Sequence, residues 1–162
     1  GMACIHSARA NKVVRAGFQD GLIPGFEAYP DIRSEVKYGR NSRADLLLEG
    51  PEGRIFVEVK SVTLCRKGGQ GLFPDAVSER GRKHLRELAS IRDESTRAIM
   101  FFCALHEGVK RVSAAGQIDP RYRDTLSEVL DQGVEVLAWG AAVSPQSIAL
   151  ARPLPFGVEP DE

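Results

Sequence analysis

Three charged residues, Asp45, Glu58 and Lys60, have the types and the spacing that metal-assisted phosphate chemistry requires. Successive side chains of a β-strand point to opposite faces, so Glu58 and Lys60 project together if they lie in one strand. Carboxylates suit a divalent cation such as Mg²⁺ or Mn²⁺, and a neighbouring ammonium can orient a water or stabilise negative charge on phosphorus. We therefore predict that these three residues form a catalytic group around a divalent cation.

A fourth acidic residue, Glu35, is predicted to join this group through a hairpin. The turn residues Gly39-Arg40-Asn41 separate two apolar runs, and symmetric closure about Arg40 puts position 35 opposite position 45. Facing carboxylates repel each other unless a positive charge lies between them. The predicted metal ligands are the side chains of Asp45, Glu58 and Glu35 and the backbone carbonyl of Val59.

Three strands are predicted to position these residues, because turn residues at 39–41 and 50–51 separate runs over 35–38, 44–48 and 56–60, the last prolonged to residue 64. An amphipathic helix is predicted over 7–20. A flexible glycine-rich loop is predicted over 66–71, followed by a helix from a cap at Asp75 or Ser78 to about Ile91 with His84 on its core face. The rest of the chain is predicted to form a buried strand over 97–105, a helix over 119–133, a strand over 134–139 and an edge strand over 147–152.

Three longer stretches carry a family resemblance: GRNSRAD over 39–45, VEVKSVTL over 57–64 and FPDAVSERGRKHL over 73–85. In these stretches the chain resembles the sugar fermentation stimulation protein family, SfsA, and the similarity runs from about residue 5 to residue 156. The resemblance implies a PD-(D/E)xK nuclease-like domain, with Asp45 and Glu58-Val59-Lys60 at the signature positions. It also implies the fold class: α/β with a mixed sheet, formed by a restriction-endonuclease-like αβββαβ core and an added αβ unit.

The resemblance implies a DNA-binding protein linked to sugar (maltose) metabolism. A magnesium-dependent nuclease is the alternative function, and a third interpretation treats the charged residues as the polar face of an ordinary sheet.

The family usually carries an N-terminal OB-fold, which has no counterpart in this sequence. The opening Gly1-Met2 is typical of residues left by recombinant expression. The chain is thus expected to be either a truncated piece or a natural protein without that half.

The charge is unevenly distributed, although the formal net charge is zero. Residues 33–86 contain 12 Lys and Arg against 7 Asp and Glu, so the basic surplus surrounds the acidic cluster. A local basic field favours a phosphate backbone, and the predicted partner is DNA, bound without strong sequence preference. The alternative is that these charges lie on several solvated faces. The predicted nucleic-acid-binding residues are Arg9, Lys12, Lys37, Arg40, Arg43, Arg66, Lys67, Arg80 and Lys83.

Length and composition favour one domain over residues 1–156, followed by an acidic, disordered tail over 157–162. No apolar run approaches the roughly 18 residues of a membrane span. The cysteines Cys4, Cys65 and Cys103 form no Cys-x-x-Cys pair, so neither a disulfide framework nor a zinc site is indicated. We expect a cytoplasmic protein with reduced thiols.

Overall fold

A computed structural model describes residues 2–160 of the chain, with side chains described from residue 6 onward. Two mixed sheets and three helices make up this part. The strands are β1 (Asp31–Tyr38), β2 (Ser42–Gly50), β3 (Gly53–Val62), β4 (Leu64–Arg66), β5 (Gln70–Phe73), β6 (Thr96–Ala104), β7 (Arg111–Ala114), β8 (Glu135–Val143), β9 (Ile148–Pro153) and β10 (Phe156–Gly157). The helices are α1 (Met2–Gln19), α2 (Glu79–Ser90) and α3 (Pro120–Asp131).

The larger sheet has six strands in the order β1-β2-β3-β6-β8-β9. Strands β3, β6 and β8 are parallel, whereas β1, β2 and β9 pair in the antiparallel sense with their neighbours. Parallel neighbours need a crossover, and α2 and α3 lie in the two segments that connect them. Strand β6 lies in the middle and is buried along nearly its whole length, as its apolar sequence predicts. The predicted mixed α/β architecture is confirmed.

The helices cover both faces of the larger sheet. Helix α1 contributes Val14 to an apolar core with Ile99 of β6, whereas Leu85 of α2 belongs to a second core with Met100. The adjacent residues 99 and 100 thus face opposite sides of the strand. The Ser78 hydroxyl caps α2 by accepting a hydrogen bond from the Gly81 amide at 2.9 Å. Ser78, and not Asp75, is therefore the helix cap.

The prediction of a flexible loop over residues 66–71 is wrong. Strands β4 and β5 form a hairpin around Lys67–Gly69, and β5 pairs with β7 in a smaller sheet of order β10-β7-β5-β4. Gly68 and Gly69 supply the left-handed backbone that the turn needs, with φ of 79° and 83°. A short strand that pairs with a segment about forty residues away gives little local signal, which explains the error.

The predicted start of the acidic tail at residue 157 falls inside a strand. Gly157 belongs to β10 and pairs with Ser113, and the Phe156 ring stacks on Phe102 at 5.2 Å between centroids. The Glu159 carboxylate lies 3.5 Å from the Arg123 guanidinium. Residues 161 and 162 lie outside the described residues, as does the side chain of Cys4.

Within the described part of the chain, none of the helices combines the length and apolar character that a membrane crossing requires.

Candidate metal and phosphate site

A cavity of about 790 Å³ opens between the first turns of α1 and the N-terminal end of α2. The predicted residues Asp45, Glu58, Val59, Lys60 and Arg80 all line it. Residues that sequence reasoning did not assign to the site share its walls: His6, Ser7, Asn11, Ser61, Thr63, Leu72, Phe73, Asp75, Ser78, Gly81 and His84. The structure therefore brings together the Asp45, Glu58 and Lys60 triad.

Asp45 lies where strands β2 and β3 separate. The backbone pairing of the two strands ends at Leu46 and Val57. Beyond this pair, the side chain of Asp45 forms the hydrogen bond to β3. Its Oδ2 accepts a hydrogen bond from the Val59 amide at 2.7 Å, and its Oδ1 accepts one from the Asn11 amide group at 3.0 Å. Burial raises the pKa of Asp45, and these hydrogen bonds together with the Lys60 charge only partly oppose the rise. The carboxylate is thus held in one orientation from two sides.

Glu58 is the most deeply buried charged group of the cavity, with 5% of its surface exposed. Its Oε1 lies 3.2 Å from the Lys60 ammonium, while its Oε2 is buried and has no hydrogen-bond partner among the described residues. Burial, together with the smaller effect of the Asp45 charge, raises the pKa of Glu58 to about 7 against the attraction of Lys60. An unpartnered buried carboxylate oxygen is costly, and a cation would satisfy it.

His84 of α2 is, with Asn11, a functional candidate that sequence reasoning missed. The prediction that it faces the core is only partly right, because Leu85 and Leu88 are fully buried whereas His84 borders the cavity. Burial and the charges of Lys60 and Arg80 lower the pKa of His84 to about 4, so its imidazole is neutral at pH 7. The sequence contained one indication that His84 borders the site: it lies four residues after Arg80, a predicted nucleic-acid-binding residue, and therefore shares its helix face.

Glu35 lies at the edge of this arrangement. The hairpin register pairs Ser34 with Leu46 and Val36 with Ala44, so position 35 faces position 45 as predicted. The Glu35 backbone has φ of 54°, which is unusual for a residue other than glycine, and its side chain is exposed. Its charge raises the pKa of Asp45, but it does not line the cavity. Its role as a metal ligand stays a prediction.

The described residues contain no cluster of three His, Cys, Asp or Glu side chains arranged to hold a metal ion. Three carboxylates line the cavity, but Asp75 is exposed and forms no such cluster with Asp45 and Glu58, which leaves these two as the candidate side-chain ligands. Such a set still fits Mg²⁺, which usually keeps several waters and binds one or two carboxylates. The unpartnered Oε2 of Glu58 is the observation that favours a cation here.

All nine predicted nucleic-acid-binding residues are exposed, but they are not in one place. Arg80 lines the large cavity, whereas Arg40 and Lys83 line a smaller one of about 300 Å³ between the β1–β2 hairpin and α2. Lys37 and Arg43 face each other across the hairpin. Like charges in that position repel, so a bound anion would stabilise them. The remaining members, Arg9, Lys12, Arg66 and Lys67, lie on α1 and at the β4–β5 hairpin.

Comparisons with known proteins place the chain in a family. The family model for the sugar fermentation stimulation protein RE domain matches residues 8–147. A sugar fermentation stimulation protein homolog from Marinomonas sp. (strain MWYL1) is 46% identical over 155 residues, which is 95% of this chain and 60% of the relative. A homolog from Pseudomonas aeruginosa (strain LESB58) is 47% identical over 156 residues, or 95% of this chain and 66% of the relative.

A solved structure, Pyrococcus furiosus SfsA in complex with Ca²⁺, superimposes with a TM-score of 0.82 at 31% identity and covers 91% of this chain and 64% of that chain. This likeness supports the mixed α/β fold described above. The chain spans about two thirds or less of the length of these relatives. The matched family model and the relatives show that this chain belongs to the sugar fermentation stimulation protein (SfsA) family.

Proposed function

We propose that this chain binds DNA and hydrolyses its phosphodiester bonds with a divalent cation, Mg²⁺ or Mn²⁺, held by Asp45 and Glu58. The observation that carries the proposal is the buried, unpartnered Oε2 of Glu58 beside a fixed Asp45 in an open cavity. The Pyrococcus furiosus relative was solved with Ca²⁺, which takes the same kind of oxygen ligands as Mg²⁺. The Val59 carbonyl and Glu35 remain proposed as additional ligands.

Four groups of this chain, besides the two carboxylates, would take part in this chemistry. A cation held by Asp45 and Glu58 would supply a Lewis acid for a phosphoryl oxygen and would lower the pKa of a coordinated water. Lys60 orients the attacking water and stabilises the negative charge that develops on the phosphate as the P–O bond to the leaving nucleotide breaks. Arg80, at the cavity wall, binds an adjacent phosphate. Asn11 and the Val59 amide keep the Asp45 carboxylate in place.

A DNA-binding regulator of sugar (maltose) metabolism that does not cleave is the second candidate function. It is favoured by the contact of the Lys60 ammonium with Glu58, which partly neutralises the carboxylate without a metal. The test is a titration with Mg²⁺ or Mn²⁺ followed by calorimetry, and then incubation with single-stranded, double-stranded and branched DNA. We expect cleavage that a chelator stops. Metal binding without cleavage of any DNA would favour the regulator.

Replacing Asn11 with Ala is expected to weaken Mg²⁺ binding about 10- to 100-fold, which is typical when a group that orients a metal ligand is removed. Asn11 is one of the two hydrogen-bond donors to Asp45 among the described residues, so its loss frees one carboxylate oxygen and raises the pKa of Asp45 further. Calorimetric titration with Mg²⁺ measures the effect, and Asn41→Ala at the exposed hairpin tip is the matched control. Equal Mg²⁺ affinity for Asn11→Ala and wild type would remove Asn11 from the site.

DNA binding is expected to be insensitive to sequence and to weaken steeply with salt, because exposed Lys and Arg side chains contact phosphates rather than base edges. The double variant Lys37→Ala/Arg43→Ala should reduce the slope of log affinity against log salt by about two. Fluorescence anisotropy on unrelated duplexes measures the slope. Arg33→Ala is the control, because Arg33 is already paired with Glu49 at 2.9 Å. Affinity that stays constant between low and high salt would contradict the electrostatic explanation.

A further inference from the structure

We propose that His84 is a positioning residue: its Nδ1 holds the Lys60 ammonium in the cavity when Glu58 binds a cation. The inference rests on the proposed function in its metal-bound form. The three groups form a triangle, with Lys60 Nζ 3.2 Å from Glu58 Oε1 and 3.5 Å from His84 Nδ1, and His84 Nδ1 3.5 Å from the same Oε1. The Lys60 ammonium thus has a second polar neighbour, Nδ1 of His84, in addition to the Glu58 carboxylate.

The first step of the argument is the competition for Glu58. Without a metal, the negative charge of Glu58 attracts the Lys60 ammonium. A dication on the same carboxylate replaces this attraction by repulsion, because two positive groups then lie within a few ångströms in a partly buried site. Lys60 would turn out to solvent unless another acceptor held it. Among the described residues the structure records only His84 as a second partner of this ammonium.

The second step is the chemistry of the imidazole. A neutral imidazole nitrogen either donates or accepts a hydrogen bond, whereas an ammonium only donates. Nδ1 therefore serves Glu58 as a donor or Lys60 as an acceptor, but not both at once. When a cation satisfies Glu58, Nδ1 is available to accept from Lys60. An uncharged acceptor suits this task, since it adds no negative charge that would draw the cation away from Glu58.

The third step is rigidity. Leu85 and Leu88 next to His84 are fully buried, and the Ser78 cap fixes the start of the same helix. His84 is thus held by the packing of α2, independently of β3, which carries Glu58 and Lys60. A second acceptor on a separate rigid element keeps the ammonium in position when the first acceptor is engaged.

Nitrogen-15 NMR of the Lys60 ammonium tests the proposal, with Lys60→Gln used to assign the signal. In wild type a slowly exchanging signal is expected both without and with saturating Mg²⁺. In His84→Ala the signal should persist without Mg²⁺, because Glu58 still holds the ammonium, and disappear with Mg²⁺. His84→Gln, whose side-chain oxygen can accept, should restore it. Arg86→Ala is the control, because Arg86 lies on the same helix and contacts Glu128 instead.

A metal-free experiment keeps the inference separate from the proposed function. In Glu58→Ala the Lys60 signal should remain, held by His84 alone, and in Glu58→Ala/His84→Ala it should be lost. If Mg²⁺ does not bind wild type, the proposed function fails and this pair still decides on the His84–Lys60 contact. A signal that survives in the double variant, or in Mg²⁺-loaded His84→Ala, overturns the inference.

Where DNA is cleaved, the same variants give a second readout. His84→Ala should lower kcat by about 10-fold or more through misplacement of Lys60, with the KM for DNA and the Mg²⁺ affinity unchanged, and His84→Gln should recover most of the loss. A merely structural role would change stability and all three constants together, and the conservative replacement would not restore kcat alone. An unchanged kcat in His84→Ala would also overturn the inference.

Discussion

Replacing Glu58 with Gln is expected to stabilise the metal-free protein at about pH 8 by on the order of 3 kcal/mol, and to abolish Mg²⁺ binding and DNA cleavage. The stabilisation follows from burial: Glu58 is 5% exposed, and its pKa is raised from 4.5 to about 7. The folded state therefore resists the charged carboxylate, and a neutral amide of the same shape removes that cost. The loss of function follows because an amide is a much weaker ligand for a hard cation.

The pH dependence gives this prediction its sign. The pKa of Glu58 is higher in the folded than in the unfolded state, so folding favours its protonation. Its destabilising effect is complete above about pH 7 and disappears as the pH falls from about 7 to about 4.5. Wild type should therefore become less stable as the pH rises from about 4.5 to about 7, and Glu58→Gln should not show this loss.

Urea unfolding with a chelator at about pH 5 and about pH 8 measures the difference between the two proteins. Glu87→Gln is the matched control, since Glu87 also has a buried, unpartnered oxygen but lies outside the large cavity. Saturating Mg²⁺ should then stabilise wild type and leave Glu58→Gln unchanged. A Glu58→Gln variant less stable than wild type at about pH 8 would show that the carboxylate is stabilising, and that no cation is needed to offset its burial.

The convergence of Asp45, Glu58 and Lys60 could be predicted because it depends on local rules. Strand alternation put Glu58 and Lys60 on one face, and their 3.2 Å contact agrees with this. The hairpin register that places position 35 opposite position 45 followed from the turn at residues 39–41. The metal-binding and catalytic roles of these residues remain predictions.

The contacts of Asn11 and His84 could not be predicted, because they depend on how helices pack on the sheet. Asn11 reaches Asp45 only after α1 docks across β3, and His84 reaches Lys60 only after α2 packs on the other side. Helical periodicity showed which face of each helix is apolar but not which strand residue that face meets. His84, at the border of the apolar stripe, was for that reason assigned to the core.

The smaller sheet was missed for a related reason. Its strands contain two to four residues, too few for an alternation to stand out from a glycine-rich stretch. Gly71 lies in β5 at a position where a side chain would meet Val109 and Val62, so the position requires glycine. In the sequence alone, this glycine indicates a flexible loop. Only the pairing of β5 with the distant strand β7 shows that the glycine lies where other parts of the chain approach the backbone closely.

Replacing Lys60 with Ala is expected to lower kcat for DNA cleavage about 10²- to 10³-fold while Mg²⁺ and DNA affinities stay near those of wild type. An ammonium that acts mainly on charge developing in the transition state contributes to kcat much more than to binding. Single-turnover cleavage and Mg²⁺ calorimetry on the same preparation measure the two properties. Lys110→Ala is the control, because Lys110 is exposed and does not line the cavity.

The other two interpretations of Lys60 predict different results for the same variant. In a regulator that only binds DNA, Lys60 is one cation among a dozen, and its loss should reduce affinity modestly and the salt slope by about one. If Lys60 serves only as the counter-charge of Glu58, its loss raises the pKa of Glu58 further, since Lys60 lowers it. The variant would then be less stable than wild type above about pH 7, with the loss relieved at lower pH. Cleavage, salt slope and melting temperature together distinguish the three cases, and a variant unchanged in every measurement would exclude Lys60 from the site.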